Sequence, residues 1–232
     1  MTPEGQFDRL LAAAPSRPFV TYYDEASGER SELSVKSLAN WVAKTHHLLG
    51  DELDLGVGDT ALIALPAHWI SVPVILGCLT AGLALTTSGS AEVAFVAPDT
   101  LPAAGELPEV YAVAPDSAAV GFGGAPPAPA SDYVSAVRRQ EDKWPTVHLA
   151  ATPDDPCLPG LTRGQVAARA AERGLEAGAR ILTTRPWEST DAWIDTVLAP
   201  IAVGGSVVIV AHCADEDVIA KRMSQERATV RM

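Results

Sequence analysis

Residues 61–85 contain no Asp, Glu, Lys or Arg, and this stretch constrains the fold more than any other part of the chain. Its length would suffice for a membrane-spanning helix, which needs about 20 apolar residues in a row. Pro66, Pro73, Gly77 and Gly82 interrupt it, and prolines and glycines break or weaken a continuous helix. We therefore predict a buried strand–helix–strand unit, because parallel strands are apolar on both faces, and no membrane association.

The same alternation of strands and helices continues along most of the chain. The principal predicted elements are a helix at 34–50, strands at 60–65, 83–87 and 147–150, a helix at 162–178, a strand at 180–184, a helix at 190–203 disturbed by Pro200, a strand at 206–210, a helix at 215–227 and a last strand from 229. Strands that alternate with helices form right-handed βαβ units. The predicted fold class is therefore α/β, with mostly parallel sheets flanked by helices.

Charge and cysteine content exclude several classes of function. The net charge of −12 over 232 residues disfavours binding to nucleic acid or anionic lipid, which requires clustered Lys and Arg. Cys78, Cys157 and Cys213 are widely spaced and lack a CxxC pattern, so we predict neither a disulfide framework nor a metal site. The N-terminus has no basic and apolar segments of a secretory signal, and we expect a cytoplasmic protein.

Six short segments, in the same order, resemble motifs of the adenylate-forming enzymes: acyl-CoA synthetases, luciferases and the adenylation domains of peptide synthetases. The segments are 33–50 (similar to "LTYxEL"), 56–63 ("GVxxGDrVal"), 78–82 ("xLkAGa"), 161–166 ("LTHxNL"), 185–210 (an aromatic followed by "L..GG.vVl") and 226–230 ("ekvT"). The resemblance implies the N-terminal domain of that family, with one lobe at about 55–142 and a second at about 146–232, on which 1–50 pack.

The resemblance fails where the family has its phosphate-binding loop, "YTSGTTGxPKG". Residues 149–160 hold three prolines and no Lys, and Asp154 and Asp155 take the place of phosphate donors; Gly160 and Thr162 close the segment. A phosphate cradle needs consecutive free backbone N–H groups, which proline lacks. The sequence also stops before the family's "YGxTE" motif, its ribose-binding Asp and its catalytic Lys. We predict that ATP and Mg²⁺ binding is lost and that no catalytic residues remain.

The segment from Trp187 to Trp193 is the best candidate for a ligand site. It follows a predicted strand and holds Glu188 and Ser189 between the two tryptophans, at a position where the resemblance implies an acyl or aminoacyl pocket. The alternative is that Trp193 belongs to the core, since it lies in helical register with Val197. Two further candidates are weaker. Prolines directly follow the glycine-rich loop at 121–124, so no helix N-terminus is available there to bind a phosphate. Cys213 lies just beyond a strand end, where ligands often bind, but a cysteine is more often a small buried residue.

The leading functional prediction is a non-catalytic relative of the acyl-activating enzymes with a structural or partner-binding role. The partner is either a second copy, joined through the exposed edge of the last sheet, or an unidentified protein. Two alternatives stay open: binding of a nucleotide, acyl group or amino acid without turnover, and one half of a split ligase that another chain completes. An apolar surface patch around the last strand would favour the partner-binding prediction.

Overall fold

The computed structural model of the chain describes residues 1–114, 121–144 and 151–232, so the strand predicted at 147–150 lies outside the described residues. The elements, in chain order, are α1 (Pro3–Ala13), β1 (Pro18–Asp24), β2 (Arg30–Ser34), α2 (Val35–His47), a π-helical turn (Leu48–Glu52), β3 (Thr60–Ala64), α3 (Ser71–Ala81), β4 (Ala84–Thr86), β5 (Val93–Val96), a 3₁₀ segment (Pro98–Ala104), β6 (Glu109–Ala112), β7 (Ser131–Asp132), α4 (Tyr133–Arg138), β8 (Pro156–Leu158), β9 (Leu161–Thr162), α5 (Arg163–Ala171), β10 (Arg180–Thr183), α6 (Thr190–Trp193), a second π-helical turn (Ile194–Leu198), α7 (Ala199–Ala202), β11 (Ser206–Ala211), α8 (Glu216–Gln225) and β12 (Val230–Arg231).

Two compact units share these elements. The first unit comprises Met1–Leu38, Ala67–Trp69 and Gly164–Met232, and the second comprises Ala39–Pro66 and Ile70–Arg163. The first contains a five-stranded sheet in the order β12-β10-β11-β1-β2, in which only the β1–β2 hairpin is antiparallel.

The second unit contains a five-stranded sheet in the order β4-β3-β5-β6-β7, and every pairing in it is parallel. A small antiparallel hairpin, β8–β9, completes this unit. The predicted α/β class with mostly parallel sheets is therefore confirmed.

The stretch at 61–85 that contains no charged residue forms most of β3 together with α3 and β4, as its sequence predicts. In α3 the ten residues from Ser71 to Thr80 are all buried, and β3 is buried at its three central positions. An all-round apolar helix of this kind belongs in a protein core. Within the described ranges, no helix has the length and apolar character that crossing a membrane would require.

Glycine and proline interrupt two of the predicted helices: one ends early and the other is not regular. The helix predicted at 162–178 is wrong in its length: α5 ends at Ala171, and Gly174 and Gly178 both adopt positive φ in the turns that follow. The disturbance predicted at Pro200 is confirmed as the π-helical turn between α6 and α7. Proline has no N–H to donate to the carbonyl of Thr196 and its ring crowds that carbonyl, so the helix widens there.

Helices α2 and α3 approach each other closely within the second unit. A Cβ added at Gly77 would lie 2.4 Å from the Cβ of Thr45, which is fully buried. The Thr45 hydroxyl donates to the carbonyl of Trp41 (2.9 Å) and therefore accepts from the hydroxyl of Tyr133 (2.7 Å). This hydrogen bonding holds Thr45 in place, so the contact requires glycine at position 77.

We predict that Gly77→Ala destabilises the protein, although alanine ordinarily favours a helix over glycine by up to about 1 kcal/mol. Overpacking against Thr45 outweighs that gain, and we expect a net loss of roughly 1–3 kcal/mol in the free energy of unfolding, measured by urea denaturation. Gly124→Ala is the control, because its added Cβ meets nothing within 4 Å and its φ is not positive. Equal midpoints for the two variants would contradict the close-packing argument.

Candidate functional site

A tight acidic turn stands where the resemblance places the phosphate-binding loop. The Oδ2 atom of Asp155 accepts hydrogen bonds from the backbone N–H (2.5 Å) and the hydroxyl (2.9 Å) of Thr152. These two donors, the backbone one first, lower the pKa of the Asp155 carboxyl below its usual value. The chain's own carboxylate thus accepts the hydrogen bonds that both donor groups of Thr152 make.

The remaining predicted positions of this segment lie in or beside the β8–β9 hairpin. Gly160 forms its turn with a φ of +71°, and Thr162 pairs with Pro156 across the two strands. Asp154 is exposed in the turn before β8. The backbone therefore runs as an antiparallel hairpin at the position where the family wraps a flexible loop around phosphate.

Arg163 directly follows the hairpin, and sequence reasoning gave it no role. Its side chain is fully buried and donates from Nη1 to the carbonyl of Leu79 and from Nη2 to the carbonyl of Leu83, each at 2.9 Å. These carbonyls lie at the C-terminal end of α3, where the helix dipole favours a cation. A usable signal was present, because a positive charge at the first position of a helix is unfavourable for that helix itself.

We predict that Arg163→Ala lowers the free energy of unfolding by about 3 kcal/mol, because two buried carbonyls lose charged donors. The measurement is the urea midpoint of the variant against wild type. Arg169→Ala is the matched control in the same helix, since Arg169 is exposed, and its change should stay within about 0.5 kcal/mol. A loss at Arg163 no larger than at Arg169 would rule out the anchoring role.

The two tryptophans of the predicted ligand segment are both buried in the first unit. Trp187 follows β10 and is 6% exposed, and Trp193 ends α6 and is 1% exposed. Among the described residues, neither indole N–H has a hydrogen-bond acceptor. A buried donor without an acceptor costs about 1–3 kcal/mol, so each marks a place where a water or ligand oxygen would be stabilising.

The polar residues between the tryptophans do not join them. Glu188 and Ser189 are exposed, and Ser189 precedes α6 as its N-cap without a side-chain capping bond. The structure thus separates the segment into a buried aromatic part and an exposed polar part. The predicted contribution of Glu188 and Ser189 to a pocket stays a prediction.

Ion pairs fix the outer side of this segment. Asp195 accepts from Arg173 Nε at 2.7 Å and from Arg185 Nη1 at 3.0 Å, and Asp191 accepts from Arg173 at 3.2 Å. Pairs this exposed contribute little stability one at a time. Together they hold the start of the α6 helix against the end of α5 and the residues after β10.

Polar pairs also mark the carboxyl ends of the first unit's parallel strands, where ligands bind in many open α/β sheets. Where β1 and β11 end, Nδ1 of His212 lies 2.9 Å from Oδ1 of Asp24. Burial works against ionisation of Asp24, but the His212 contact and the backbone N–H of Ala26 prevail and lower its pKa to about 2. Cys213 packs beside the apolar cluster under α8.

His68 lies buried beside β1 of the same sheet. Its ring centroid is 4.2 Å from that of Tyr22, and its Nε2 lies 3.8 Å from Oε1 of Glu29, beyond hydrogen-bond distance. Burial, followed by Asp24 and Glu29, raises the pKa of Tyr22 and keeps its hydroxyl protonated. In the described part of the chain, no three His, Cys, Asp or Glu side chains are arranged to hold a metal ion.

An open cleft beside α8 escaped the sequence analysis. Its volume is about 550 Å³, and its apolar floor includes Ile219, Met223 and Ala228. Glu216 and Arg231 line one end, and Arg227 also lines the cleft. The spacing of Glu216, Ile219, Met223 and Arg227 along α8 is a helical stripe, which was the available sequence signal.

Comparison with known proteins links the chain to one protein family and to a known fold. No protein-family model matches it. It is 38% identical over 233 residues to a TIGR03089 family protein from Mycobacterium tuberculosis, with 96% of this chain and 94% of that protein aligned.

Solved structures place the fold. A Brucella canis acyl-CoA synthetase matches with a TM-score of 0.81 and an anthranilate CoA ligase, AuaEII, solved with anthranoyl-AMP, with 0.77, both at 14% identity. Each match covers the whole chain but only 47% and 49% of the respective enzyme, so the chain spans about half their length. The expected resemblance to the N-terminal domain of adenylate-forming enzymes is confirmed for the fold.

Proposed function

The chain belongs to the TIGR03089 family, and we propose that it is a non-catalytic protein with the adenylate-forming fold that acts by binding a protein partner. The observation that carries this proposal is the acidic turn at 152–155. Its own carboxylate accepts the hydrogen bonds that a bound phosphate would need.

Charge supports this proposal at the same position. Asp154 and Asp155 are negative, and a triphosphate beside them would be repelled unless cations intervened. Pro153, Pro156 and Pro159 remove three backbone donors from the segment. Fewer backbone donors and a negative local charge both disfavour binding of a nucleotide phosphate by this segment.

Arg163, the buried cation that directly follows this segment, already makes hydrogen bonds within the protein. The Nη1 and Nη2 atoms of Arg163 donate to the carbonyls of Leu79 and Leu83 in a fully buried position. Turning this guanidinium toward a phosphate would leave the end of α3 without its donors. Binding of ATP is thus disfavoured both by the Asp155 carboxylate in the turn and by the hydrogen bonds that already engage the Arg163 guanidinium.

The cleft beside α8 supports a binding role. It is lined by the half-buried side chains of Met223 and Ala228 and by the charged Glu216, Arg227 and Arg231, so it offers a partner both apolar and charged contacts. All three cysteines are free thiols, and on that ground we propose a reducing compartment, the cytoplasm, as the site of action.

We predict that neither ATP·Mg²⁺ nor AMP raises the melting temperature of the purified protein or gives heat in a calorimetric titration. A ligand present at 100 times its Kd would stabilise the native state by about 2.7 kcal/mol, so binding would be readily visible. A full-length acyl-CoA synthetase measured in parallel is the positive control. Saturable binding of either nucleotide would overturn the proposal and favour an enzyme or one half of a split ligase.

A second candidate function is binding of a small carboxylic acid without turnover. The specific observation that favours it is the pair of buried indole N–H groups, Trp187 and Trp193, that lack acceptors among the described residues. A carboxylate oxygen is a suitable acceptor for such a donor, and the indole ring that carries the N–H offers an apolar surface to the rest of the acid.

If this second function is correct, a panel of aliphatic and aromatic carboxylic acids will include one that binds saturably, as measured by calorimetry. Trp187→Phe keeps an aromatic ring but removes the N–H, and we expect its affinity for that acid to fall about tenfold. Trp41→Phe is the control, since Trp41 stacks with Tyr133 in the second unit. No binding by any acid, or equal affinities in the two variants, would eliminate this candidate.

A further inference from the structure

Strand β2 forms one edge of the sheet in the first unit. It is terminal in the order β12-β10-β11-β1-β2, so its outer side has no neighbouring strand among the described residues. With five residues, it is longer than the two-residue β12 at the other end of the sheet. An unpaired edge presents backbone N–H and C=O groups that readily pair with a strand of another chain. β2 is therefore the longer of the two edges that such a strand can join.

The pairing of β2 with β1 shows which of its backbone groups point outward. The N–H of Asp24 donates to the carbonyl of Glu29 at 3.0 Å, so these two residues form a hydrogen-bonded pair of the antiparallel ladder. Hydrogen-bonded pairs alternate along such a ladder, so the backbone groups of Ser31 also face β1. The backbone groups of Arg30 and Glu32 therefore point away from the sheet.

The side chains of Arg30 and Glu32 also have unused hydrogen-bonding atoms at this edge. Nε of Arg30 donates to the Tyr23 hydroxyl and Nη2 donates to Glu32 at 2.8 Å, whereas Nη1 has no acceptor among the described residues. Oε2 of Glu32 accepts from Arg30 and Thr21, and Oε1 has no donor within the same ranges. The two side chains are 46% and 33% exposed, so another molecule can reach them.

Charge selects one register for a two-fold pairing of β2 with a second copy of itself. Residues whose backbone groups point outward must face one another in such a pairing. Centred within residues 30–32, it places Arg30 opposite Arg30, Glu32 opposite Glu32, or Arg30 opposite Glu32. The first two registers put like charges directly opposite, which is destabilising, and the third puts opposite charges together at two symmetric positions. This third register is centred on Ser31, which then faces Ser31 of the other copy.

We propose that the protein partner is a second copy of the chain, joined by antiparallel pairing of the two β2 strands about a two-fold axis at Ser31. A two-fold interface requires a self-complementary surface, which the order Arg30, Ser31, Glu32 provides. Each Arg30–Glu32 pair exchanges both of its backbone hydrogen bonds, and Nη1 of Arg30 donates to Oε1 of Glu32 on the other copy. The partner-binding function proposed above is the premise, and this dimer names its partner.

Backbone hydrogen bonds, rather than burial of apolar surface, hold this dimer together. Charged residues on an edge strand usually prevent such pairing, but opposite charges two residues apart attract each other in this register. Hydrogen bonds that replace hydrogen bonds to water contribute little net free energy, and exposed ion pairs add little more. Because the strand is also short, we expect a weak dimer, with a dissociation constant on the order of 100 μM.

Sedimentation equilibrium over a concentration series that spans this dissociation constant tests the dimer. We expect a reversible monomer–dimer equilibrium for the wild-type chain. Ser31→Lys places two lysines opposite each other on the two-fold axis, so dimerisation should weaken about tenfold or more. Ser224→Lys makes the same substitution at an exposed position of α8 and should leave the equilibrium unchanged. Urea denaturation of each variant establishes that it is folded.

A mixture of variants makes the test specific to this register. Ser31→Asp alone should also weaken dimerisation, because two carboxylates then meet on the axis. An equal mixture of Ser31→Lys and Ser31→Asp chains puts opposite charges there in a heterodimer, and return of the dimer supports the proposal. A monomeric wild-type chain at every concentration, a dimer that neither variant weakens, or a mixture that stays monomeric overturns it. None of these results depends on nucleotide, so this test and the ATP titration fail or succeed separately.

Discussion

Strands β1 and β11 form the parallel pair on which the first unit depends. Each is buried on both faces, with Val207, Val208, Ile209 and Val210 all at most 1% exposed. A parallel strand buried in this way must have helices on both sides, and it must be reached by a crossover connection rather than a hairpin. The long chain separation between β1 and β11 satisfies this requirement, because the whole second unit is inserted between them.

The acidic turn and the buried Arg163 belong to one connected set of hydrogen bonds. In a phosphate-binding loop, the backbone N–H groups have no partner within the protein and donate to the ligand instead. Here the Asp155 carboxylate accepts from Thr152, and the Asp155 backbone carbonyl accepts from the N–H of Arg163 at 2.9 Å. The side chain of Arg163 in turn donates to the carbonyls at the end of α3. These hydrogen bonds tie the segment to the rest of the second unit.

Sequence patterns predicted those helices and strands that are determined by residues close together in the chain. Asp215 accepts from the N–H groups of Asp217 and Val218 as an N-cap should, and the charge-free stretch can satisfy its burial only as strand, helix and strand. The long-range partners could not be predicted from the sequence: a charge at the first position of a helix indicates that Arg163 has a partner elsewhere, but not that the partners are carbonyls 80 residues and more away. The same holds for the acceptor-free indole groups of the ligand segment, since a missing hydrogen bond has no sequence pattern.

Charged contacts on the inner side of α8 give the cleft a fixed shape. Glu226, just after the helix, accepts from the Tyr23 hydroxyl and from Arg180 Nη2 at 2.6 Å, while the guanidinium of Arg222 lies 4.0 Å from the Tyr23 ring centroid. Tyr23 of β1 and Arg180 of β10 thus fix the orientation of the helix through Arg222 and Glu226. The residues of α8 that line the cleft also pack on the sheet, since Ile219 and Met223 belong with Tyr23 to one apolar cluster. A partner that docked in the cleft would therefore meet a preformed surface, which loses less conformational entropy on association than a mobile one.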